Sequence, residues 1–529
     1  MRFLSLKLLI LTFILNISSS EAQTTGLPKD FSASEIVEMQ DQKSLLRQKP
    51  VSINQTFPST PMRAMAEWEE IQALVVAWVQ YQPTLREIVR YSREECRVII
   101  VCNDSFLVKD YLREGKVPLS NITYLQTPVN SAWIRDYGAM SVYSNEVDSL
   151  ILFDWIYNRP RPFDDQMPFQ LSKILQKPLY SMTSPPNDLV HIGGNFMTDG
   201  MGTGFSTYLV LDENSEFGQF NLTSKTEEDI DWIMNSFMGI DQYIKLPTLP
   251  YDGIHHIDMH MKLLDEETLL VGEYPLGIAD GPQIEANIQY IQNNYYSPFG
   301  TPYEIVRIPM PPHHDLYPDN IWSDYRTYTN AVFVNKTILV PSYEEKYDSV
   351  ALRIYRNQFP GYRVVGIDCN EVIKAGGALH CITREIGVND PLLIRHRHLL
   401  DVYENHSDYQ VSAYIKHSSG IEHAKIYYAT DKNGPFQEID MVRSPTRKHV
   451  WTGFIPVQNS GEKVFYYISA TANSGKTISR PLTAPAGYWQ FDIIGPNTKI
   501  EDYFQTEMLP DVPPFNHETE RMVAPLRVR

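Results

Sequence analysis

The chain has 529 residues, which is too long for one hydrophobic core and predicts two or three domains. Hydrophobic residues make up 43% and charged residues 21%, proportions that are typical of an ordinary globular protein. The net charge of −18 argues against nucleic acid as a partner, because proteins that bind it usually present a basic surface. The same charge suits a cationic substrate, although only weakly.

The N-terminus has the features of a secretory signal peptide. Arg2 and Lys7 give a positive start, residues 8–15 form an apolar run, and residues 20–22 form a small-x-small cleavage site. The run is shorter than the ~20 residues that a membrane span needs, which favours cleavage over the alternative of a membrane anchor. We therefore expect removal of residues 1–22, no stable membrane insertion, and a secreted, periplasmic or cell-surface protein.

Residues 23–48 are polar and lack a core pattern, which indicates a propeptide or N-terminal arm. Residues 49–393 alternate short apolar strands with amphipathic helices, as in an α/β domain. The predicted strands are Ala73–Trp78, Arg97–Cys102, Leu150–Trp155, Thr207–Leu211, Met259–Leu264, Thr268–Val271, Tyr303–Ile308, Ala331–Val334, Thr337–Val340 and Tyr362–Ile367. The predicted helices are Pro83–Glu95, Thr226–Met238, Gln283–Asn294 and Ser349–Gln358. A strand–helix–strand cycle recurs roughly every 60 to 70 residues, which suggests about five similar modules, with a doubly wound sheet as the alternative.

The pattern changes after a linker at residues 386–400. Residues 401–495 contain short alternating strands, some separated by Asn-Gly, Gly-Pro and Ser-Gly turns. This spacing predicts an immunoglobulin-like β-sandwich with an accessory role; a second catalytic lobe is the alternative. Residues 496–529 are polar and contain several prolines, which indicates an extended tail.

The first candidate site segment is Trp133-Ile-Arg-Asp136-Tyr-Gly138. Asp136 can offer two carboxylate oxygens to two parallel N–H groups, the geometry of a guanidinium fork. Trp133 could supply an aromatic wall for a bound cation. An Arg135–Asp136 surface pair is the alternative interpretation.

The second segment is Tyr157-Asn-Arg159-Pro-Arg161-Pro162, in which the prolines favour an extended backbone. Arg159 and Arg161 are two residues apart and could point to the same side, an arrangement that suits a carboxylate ligand. A solvated basic turn is the alternative.

The third segment runs from Gly253 to Met261 and contains His256, Asp258 and His260. Strand alternation would place these three side chains on one face. We interpret His256 as a general acid and base and Asp258 as a ligand for a substrate cation. A zinc site, with His313-His314-Asp315 as the other cluster, and a hydrogen-bonded strand histidine are the alternatives.

The fourth segment is Gly376-Gly377-Ala-Leu-His-Cys381. A cysteine that follows two glycines suits a nucleophile on a tight bend, because glycine tolerates sharp turns and the close approach of a substrate. A buried structural cysteine is the alternative, and it is how we interpret Cys96, Cys102 and Cys369.

In this order, Trp-x-Arg-Asp, Gly193-Gly194-Asn195, His-x-Asp and Gly-Gly-x-x-His-Cys resemble the guanidino-group-modifying enzymes. Within that superfamily, residues 60–390 resemble the agmatine deiminases and the Porphyromonas-type peptidylarginine deiminases. The signal peptide, the β-sandwich and Asn-Arg-Pro-Arg-Pro resemble the second group in particular. The family's exported member, however, ends in a further folded sorting domain, whereas about 34 residues follow the sandwich here.

The resemblance implies a five-bladed α/β propeller (pentein). It also implies that Cys381 is the nucleophile, that His256 is the general acid and base, and that Asp136 and Asp258 grip the guanidinium. Trp133, Gly194 and Asn330 would line the pocket, and Arg159 and Arg161 would bind the α-carboxylate of a C-terminal arginine. No cofactor or metal is expected, calcium included.

The predicted function is hydrolysis of arginine in peptides or proteins to citrulline and ammonia through a covalent thiouronium on Cys381. The alternatives are an agmatine deiminase, a hydrolase or amidinotransferase on the same scaffold, and a non-catalytic secreted binding protein. The sequence predicts no particular oligomeric state.

Overall fold

The computed structural model describes residues 27–41, 56–218, 223–403 and 407–495. The predicted signal peptide (1–22) and C-terminal tail (496–529) lie outside these residues. Part of the predicted N-terminal arm is described, and it contains helix α1 (Ala33–Asp41). None of the described helices combines the length and the apolar character that a membrane crossing would need.

Residues 62–387 form a mixed α/β region. Its strands are β1 (Met62–Ala64), β2 (Ile71–Ala77), β3 (Arg97–Cys102), β4 (Ile122–Gln126), β5 (Met140–Ser144), β6 (Ser149–Trp155), β7 (Leu179–Met182), β8 (Met197–Thr198), β9 (Thr203–Thr207), β10 (Gln242–Leu246), β11 (Met261–Leu263), β12 (Thr268–Glu273), β13 (Glu304–Pro309), β14 (Val332–Val334), β15 (Thr337–Ser342), β16 (Arg363–Asp368) and β17 (Arg384–Gly387). Its helices are α2 (Gln82–Ser92), α3 (Ser105–Glu114), α4 (Ile134–Tyr137), α5 (Pro162–Asp165), α6 (Met167–Leu175), α7 (Leu209–Asn214), α8 (Glu227–Met238), α9 (Gly281–Asn294) and α10 (Glu345–Gln358).

These strands form five separate sheets that share one pattern. Each sheet contains an antiparallel pair (β5–β6, β8–β9, β11–β12, β14–β15 or β17–β2). The second strand of each pair then continues, through at least one helix, into a parallel third strand (β7, β10, β13, β16 or β3). Five such units agree with the five modules expected from the sequence, while their arrangement as the blades of a closed propeller stays a prediction.

Local sequence explains why these elements form where they do. Helix α8 is capped at its N-terminus by Thr226, whose hydroxyl accepts a hydrogen bond from the backbone N–H of Asp229, and the Asp229 carboxylate accepts one from the backbone N–H of Thr226. Gly239, which follows the helix, has a left-handed backbone with φ of 70° and caps the C-terminus. The central strands are rich in β-branched residues, and Val98–Val101 of β3 are fully buried in the main core.

One predicted strand is wrong, and a second is shorter than predicted in a way that shapes the site. Thr207–Leu211 was expected to be a strand, but β9 ends at Thr207 and helix α7 begins at Leu209. The second predicted strand, Met259–Leu264, is preceded by a 3-10 turn at Ile257–Met259, and only Met261–Leu263 is strand. Strand alternation therefore does not place His256, Asp258 and His260 on one face.

The described residues after β17 (388–403 and 407–495) contain strands and no helix. The strands are β18 (Leu393–Arg395), β19 (Val402–Tyr403), β20 (Tyr409–Lys416), β21 (Ile421–Ala429), β22 (Gln437–Asp440), β23 (Val442–Arg443), β24 (Val450–Ile455), β25 (Lys463–Ala472), β26 (Thr477–Arg480) and β27 (Trp489–Ile494). They form two sheets, in the orders β18-β20-β24-β23 and β19-β27-β25-β21-β22, with β26 beside β25. The two sheets enclose a second core that contains Val411, Ile426 and Tyr466. The immunoglobulin-like assignment stays a prediction.

Candidate active site

The candidate site residues lie just before the first strand of the antiparallel pair in each of the five sheets. Asp136 precedes β5, Gly194 precedes β8, His256 and Asp258 precede β11, and Asn330 precedes β14; Cys381 likewise precedes β17. Because each of the five similar units presents a residue at the same point, side chains far apart in sequence can meet at one place.

The residues predicted to act as nucleophile, base and carboxylates lie close together. The Cys381 sulfur lies 3.6 Å from Asp258 Oδ2, and His256 Nδ1 lies 3.7 Å from Asp136 Oδ1. A β-carbon placed on Gly194 would lie within 3.2 Å of atoms of His256, Asp136 and Asp258, so Gly194 stands between them. All five residues are buried. The predicted catalytic set is therefore assembled in one pocket, with Gly194 at its centre.

The turn that carries Cys381 depends on its glycines and on Asn330. Gly376 has φ of +90°, and a β-carbon on Gly377 would lie 3.0 Å from the Cys381 sulfur and 2.9 Å from the Trp133 ring. Asn330 accepts the backbone N–H of Cys381 at 3.3 Å, and its amide nitrogen lies 3.2 Å from the sulfur. Asn330 thus contacts Cys381 and Trp133 lies beside Gly377, while their role in lining a substrate pocket stays a prediction.

Buried charge controls the protonation of the site. Burial, with the Asp258 and Asp136 carboxylates, raises the pKa of the Cys381 thiol to about 12. Burial would also raise the pKa of Asp258, but the ammonium of Lys29 and a hydrogen bond from His380 hold that pKa below its usual range. The pKa of Asp136 is raised, chiefly by burial, against the opposing effect of Lys29. The Lys29 ammonium lowers the pKa of the Cys381 thiol but does not cancel this rise.

His256 is neutral in this arrangement. Burial, and then the Lys29 ammonium, hold its pKa well below the usual value for histidine. Neither ring nitrogen has a hydrogen-bond partner, although both are buried. An unsatisfied buried imidazole beside a nucleophile and a carboxylate is free to exchange a proton with a reacting group.

A second layer of residues, which the sequence analysis did not assign, orients this pocket. His380 lies between Asp258 Oδ2, at 2.8 Å from its Nδ1, and Glu67 Oε1, at 2.5 Å from its Nε2. Arg135 donates from Nε to the carbonyl of His380 at 3.1 Å and pairs with Glu385 at 2.6 Å. The alternative of an Arg135–Asp136 surface pair is therefore wrong, because Arg135 is buried and pairs elsewhere. The position of His380 within Gly-Gly-x-x-His-Cys was the available sequence signal.

Arg159 and Arg161 are both buried and lie against residues 28–35 of the N-terminal arm. Arg159 Nε donates to the backbone carbonyl of Lys29 at 3.1 Å. Arg161 holds the Glu35 carboxylate through Nε at 2.7 Å and through a terminal nitrogen at 3.1 Å. The alternative of a solvated basic turn is therefore wrong, and Arg161 does have a carboxylate partner.

Lys29 enters the pocket itself, a contact that sequence reasoning missed. Its ammonium lies 2.7 Å from the Cys381 sulfur, and the residue is 1% exposed. Burial would lower the pKa of Lys29, but Cys381, Asp136 and Asp258 together raise it above its usual value. A single lysine in a polar segment carries no signal for such a contact.

The ligand set that the zinc alternative required is not assembled around His256. Within the described residues, three His, Cys, Asp or Glu side chains approach closely enough to share an ion only at Glu267, Glu304 and His398, whose ligand atoms lie within 4.8 Å of one another. His313, from the other proposed cluster, lies 2.8 Å from Asp324 instead.

Comparisons with known proteins agree with this geometry. Residues 63–386, more than half of the chain, match the family model described as Porphyromonas-type peptidyl-arginine deiminase. A Vibrio parahaemolyticus protein named "Putative agmatine deiminase" is 24% identical over 366 residues, which are 61% of this chain and 95% of that protein.

Two solved structures share the fold. The structure titled "Putative Arginine Deiminase" from Porphyromonas gingivalis has a TM-score of 0.53 and 23% identity, covering 61% of this chain and 98% of its own. The agmatine deiminase of C. jejuni has a TM-score of 0.52 and 21% identity, covering 63% and 98%. Because the family model spans most of the α/β region and all of the assembled site residues, this chain belongs to the Porphyromonas-type peptidyl-arginine deiminase family, whose members modify guanidino groups.

Proposed function

We propose that this protein hydrolyses the guanidinium group of peptidyl arginine, giving citrulline and ammonia. The observation that carries the proposal is the buried pocket in which a thiol, an unpaired imidazole and two carboxylates surround a single cation. A planar guanidinium in that position would offer several N–H donors to the two carboxylates.

The first half of the reaction forms a covalent intermediate. Asp136 and Asp258 keep the guanidinium charged and oriented, and its positive charge favours ionisation of the Cys381 thiol, whose proton His256 accepts. The thiolate attacks the central carbon, forming a C–S bond. His256 then transfers that proton to one terminal nitrogen, the C–N bond breaks, and ammonia leaves.

The second half releases the product. The thiouronium carbon now carries the sulfur of Cys381, the substrate nitrogen and one terminal nitrogen. His256 takes a proton from water, whose oxygen attacks that carbon, and the C–S bond breaks. The proton of the new hydroxyl group passes to the Cys381 sulfur, which leaves a neutral ureido product and the thiol. His256 releases the proton it took from water to the solvent, where ammonia takes it up as ammonium. The residues named supply all proton transfers, so this route needs no cofactor.

Arg159 and Arg161 favour a peptide over agmatine. Arg159 binds the backbone carbonyl oxygen of Lys29, whose side chain occupies the pocket. If a C-terminal arginine occupied the same position, its carboxylate would lie where that carbonyl lies. Agmatine has no carboxylate and carries an amine, which two arginines would repel. We therefore propose C-terminal arginine of peptides or proteins as the preferred substrate, with agmatine as the second candidate because the similar proteins carry that name.

The remaining predictions accompany this proposal. Export by the signal peptide (1–22) would bring the enzyme to arginine-containing peptides in the periplasm, on the cell surface or in the medium. The five sheets would close into the blades of a propeller, and residues 401–495 would form an accessory immunoglobulin-like domain.

The test is a colorimetric ureido assay on four guanidines: a peptide ending in arginine, a peptide with internal arginine, free arginine and agmatine. It uses the full chain and the Lys29→Ala variant, because Lys29 occupies the cation position. We expect product from the C-terminal peptide first, and none after Cys381→Ala. Cys102→Ala, which also removes a buried thiol, is the matched control and should retain activity. Absence of product from all four compounds in both proteins would refute the proposal.

A further inference from the structure

Residues 27–31 are held through their backbone, which bends at Lys29 and Asp30. Four consecutive carbonyls are bound by the α/β region: those of Leu27 by Trp133, of Pro28 and Asp30 by Arg161, and of Lys29 by Arg159. The N–H of Lys29 donates to the carbonyl of Ala375 at 3.2 Å, next to the Gly376-Gly377 turn. Hydrogen bonds to the main chain, which do not depend on the side chains, suit a site that accepts a polypeptide.

The side chain of Lys29 fits the position of the reacting group. Counting along the side chain from Cα, the lysine ammonium nitrogen occupies the same position as the central carbon of arginine. That nitrogen lies 2.7 Å from the Cys381 sulfur, where the carbon to be attacked would stand. Lysine matches the charge of the substrate but has no electrophilic carbon, so Cys381 cannot react with it.

The arm also satisfies the charges that the substrate would otherwise meet at the mouth of the cleft. The Glu35 carboxylate occupies Arg161 through two hydrogen bonds. The ring of Phe31 covers the Arg159 guanidinium at 4.3 Å. Arg159 and Arg161, the two residues proposed to bind the substrate carboxylate, are therefore both covered by residues 29–35 of this chain.

We propose that residues 27–35 act as an internal pseudosubstrate, in which Lys29 takes the place of a substrate arginine and blocks the site until the arm is displaced or removed. The proposal rests on the proposed function, because it takes arginine as the substrate. Whether the arm occupies the cleft can be measured separately. The proposal also widens the substrate class: the chain continues beyond position 29 through the cleft, so an arginine within a polypeptide can enter as well as one at a C-terminus. An arm tethered to its own site competes at a high effective concentration, which a free peptide must overcome.

The first experiment measures access to Cys381 without requiring turnover. The full chain is treated with 2-chloroacetamidine, a small cationic alkylating agent, and labelling of Cys381 is followed by mass spectrometry. We expect Lys29→Ala to accelerate labelling about tenfold or more, because the reagent no longer competes with a tethered cation. Val37→Ala is the matched control on the same arm, since its side chain is 59% exposed, and should behave as the unchanged protein. Equal labelling rates in all three proteins would overturn the proposal.

The second experiment turns the inhibitor into a substrate. In Lys29→Arg, the side chain at position 29 should place its central carbon at the Cys381 sulfur and be converted to citrulline, with one nitrogen replaced by oxygen. Mass spectrometry should locate the change at position 29, at a rate independent of protein concentration, and the additional change Cys381→Ala should abolish it.

The two experiments separate the two hypotheses. If position 29 stays unmodified in Lys29→Arg while Lys29→Ala deiminates added peptides, the pseudosubstrate proposal is overturned and the proposed function stands. If no guanidine reacts in any variant, yet Lys29→Ala accelerates labelling of Cys381, the arm does block the pocket and the proposed reaction is wrong.

Discussion

Gly194→Ala tests whether the catalytic groups must keep the spacing that the structure shows. A β-carbon on Gly194 would lie 2.6 Å from His256 Nδ1 and 2.9 Å from Asp136 Oδ1, whereas ordinary contacts begin at 3.4 Å. The imidazole must therefore retreat by about 0.8 Å, the difference between 3.4 Å and 2.6 Å. A displacement of about 1 Å from the reacting geometry costs on the order of 100-fold in rate, or about 2.7 kcal/mol of transition-state stabilisation.

The assay is kcat/KM for a peptide ending in arginine, measured in the Lys29→Ala background so that the arm does not compete. Gly281→Ala is the matched control: a β-carbon there would lie 3.4 Å from the nearest atom, an ordinary contact. Thermal unfolding of both variants separates a local effect from a general loss of stability, because overpacking costs about 1–3 kcal/mol. A folded Gly194→Ala variant with unchanged kcat/KM would refute the view that His256, Asp136 and Asp258 act as one closely spaced unit.

Three further substitutions test separate parts of the site and the fold. Asp136→Asn should lower kcat/KM by about 100-fold or more, because the amide cannot keep the substrate cation charged. The exposed Asp110→Asn is its control, and equal kinetics in the two variants would remove Asp136 from the site. Arg159→Ala should cost a C-terminal arginine about tenfold more than an internal one, since a carboxylate makes a stronger hydrogen bond than a carbonyl; equal losses would contradict the carboxylate role. Burial lowers the pKa of His396 to about 3, so the unfolded chain binds its proton more readily and stability falls as pH drops from 6.5 towards 3, by about 1.4 kcal/mol per unit. His396→Gln should therefore flatten the dependence of Tm on pH between 6.5 and 5, and an undiminished slope would contradict this account.

The sequence predicts the elements whose pattern is strongest. Arg97–Cys102 has the predicted bounds, because a run of β-branched residues allows little choice of register. Helices α3 and α6 were missed, since each is short and has a mixed polar surface that a hydrophobic pattern does not distinguish from a loop. The segment Thr207–Leu211 was misassigned because its apolar residues fit either a strand or the first turn of a helix.

In the site, residues within sequence motifs were predicted, whereas a contact between distant residues outside any motif was not. His256 and Asp258 were identified from their spacing, yet a 3-10 turn rather than strand alternation brings them together. Motif order was enough to find Cys381 and Asp136, because each stands at the same point of its own repeated unit. The contact of Lys29 with Cys381 joins residues 352 positions apart and involves no motif, so only the folded chain reveals it.

Under the two proposals, the charge of the pocket would let one site hold an inhibitory lysine and also turn over arginine. The Asp136 and Asp258 carboxylates lie in a buried volume, and two such groups are costly to hold together as anions without a compensating cation. A lysine ammonium or an arginine guanidinium meets that need, and each also favours ionisation of the thiol beside it. Hydrolysis changes the balance, because citrulline is neutral and no longer offsets the two carboxylates. The attraction that draws the substrate in is thereby lost as the product forms, and the next cation to enter, whether from another arginine or from Lys29, displaces it.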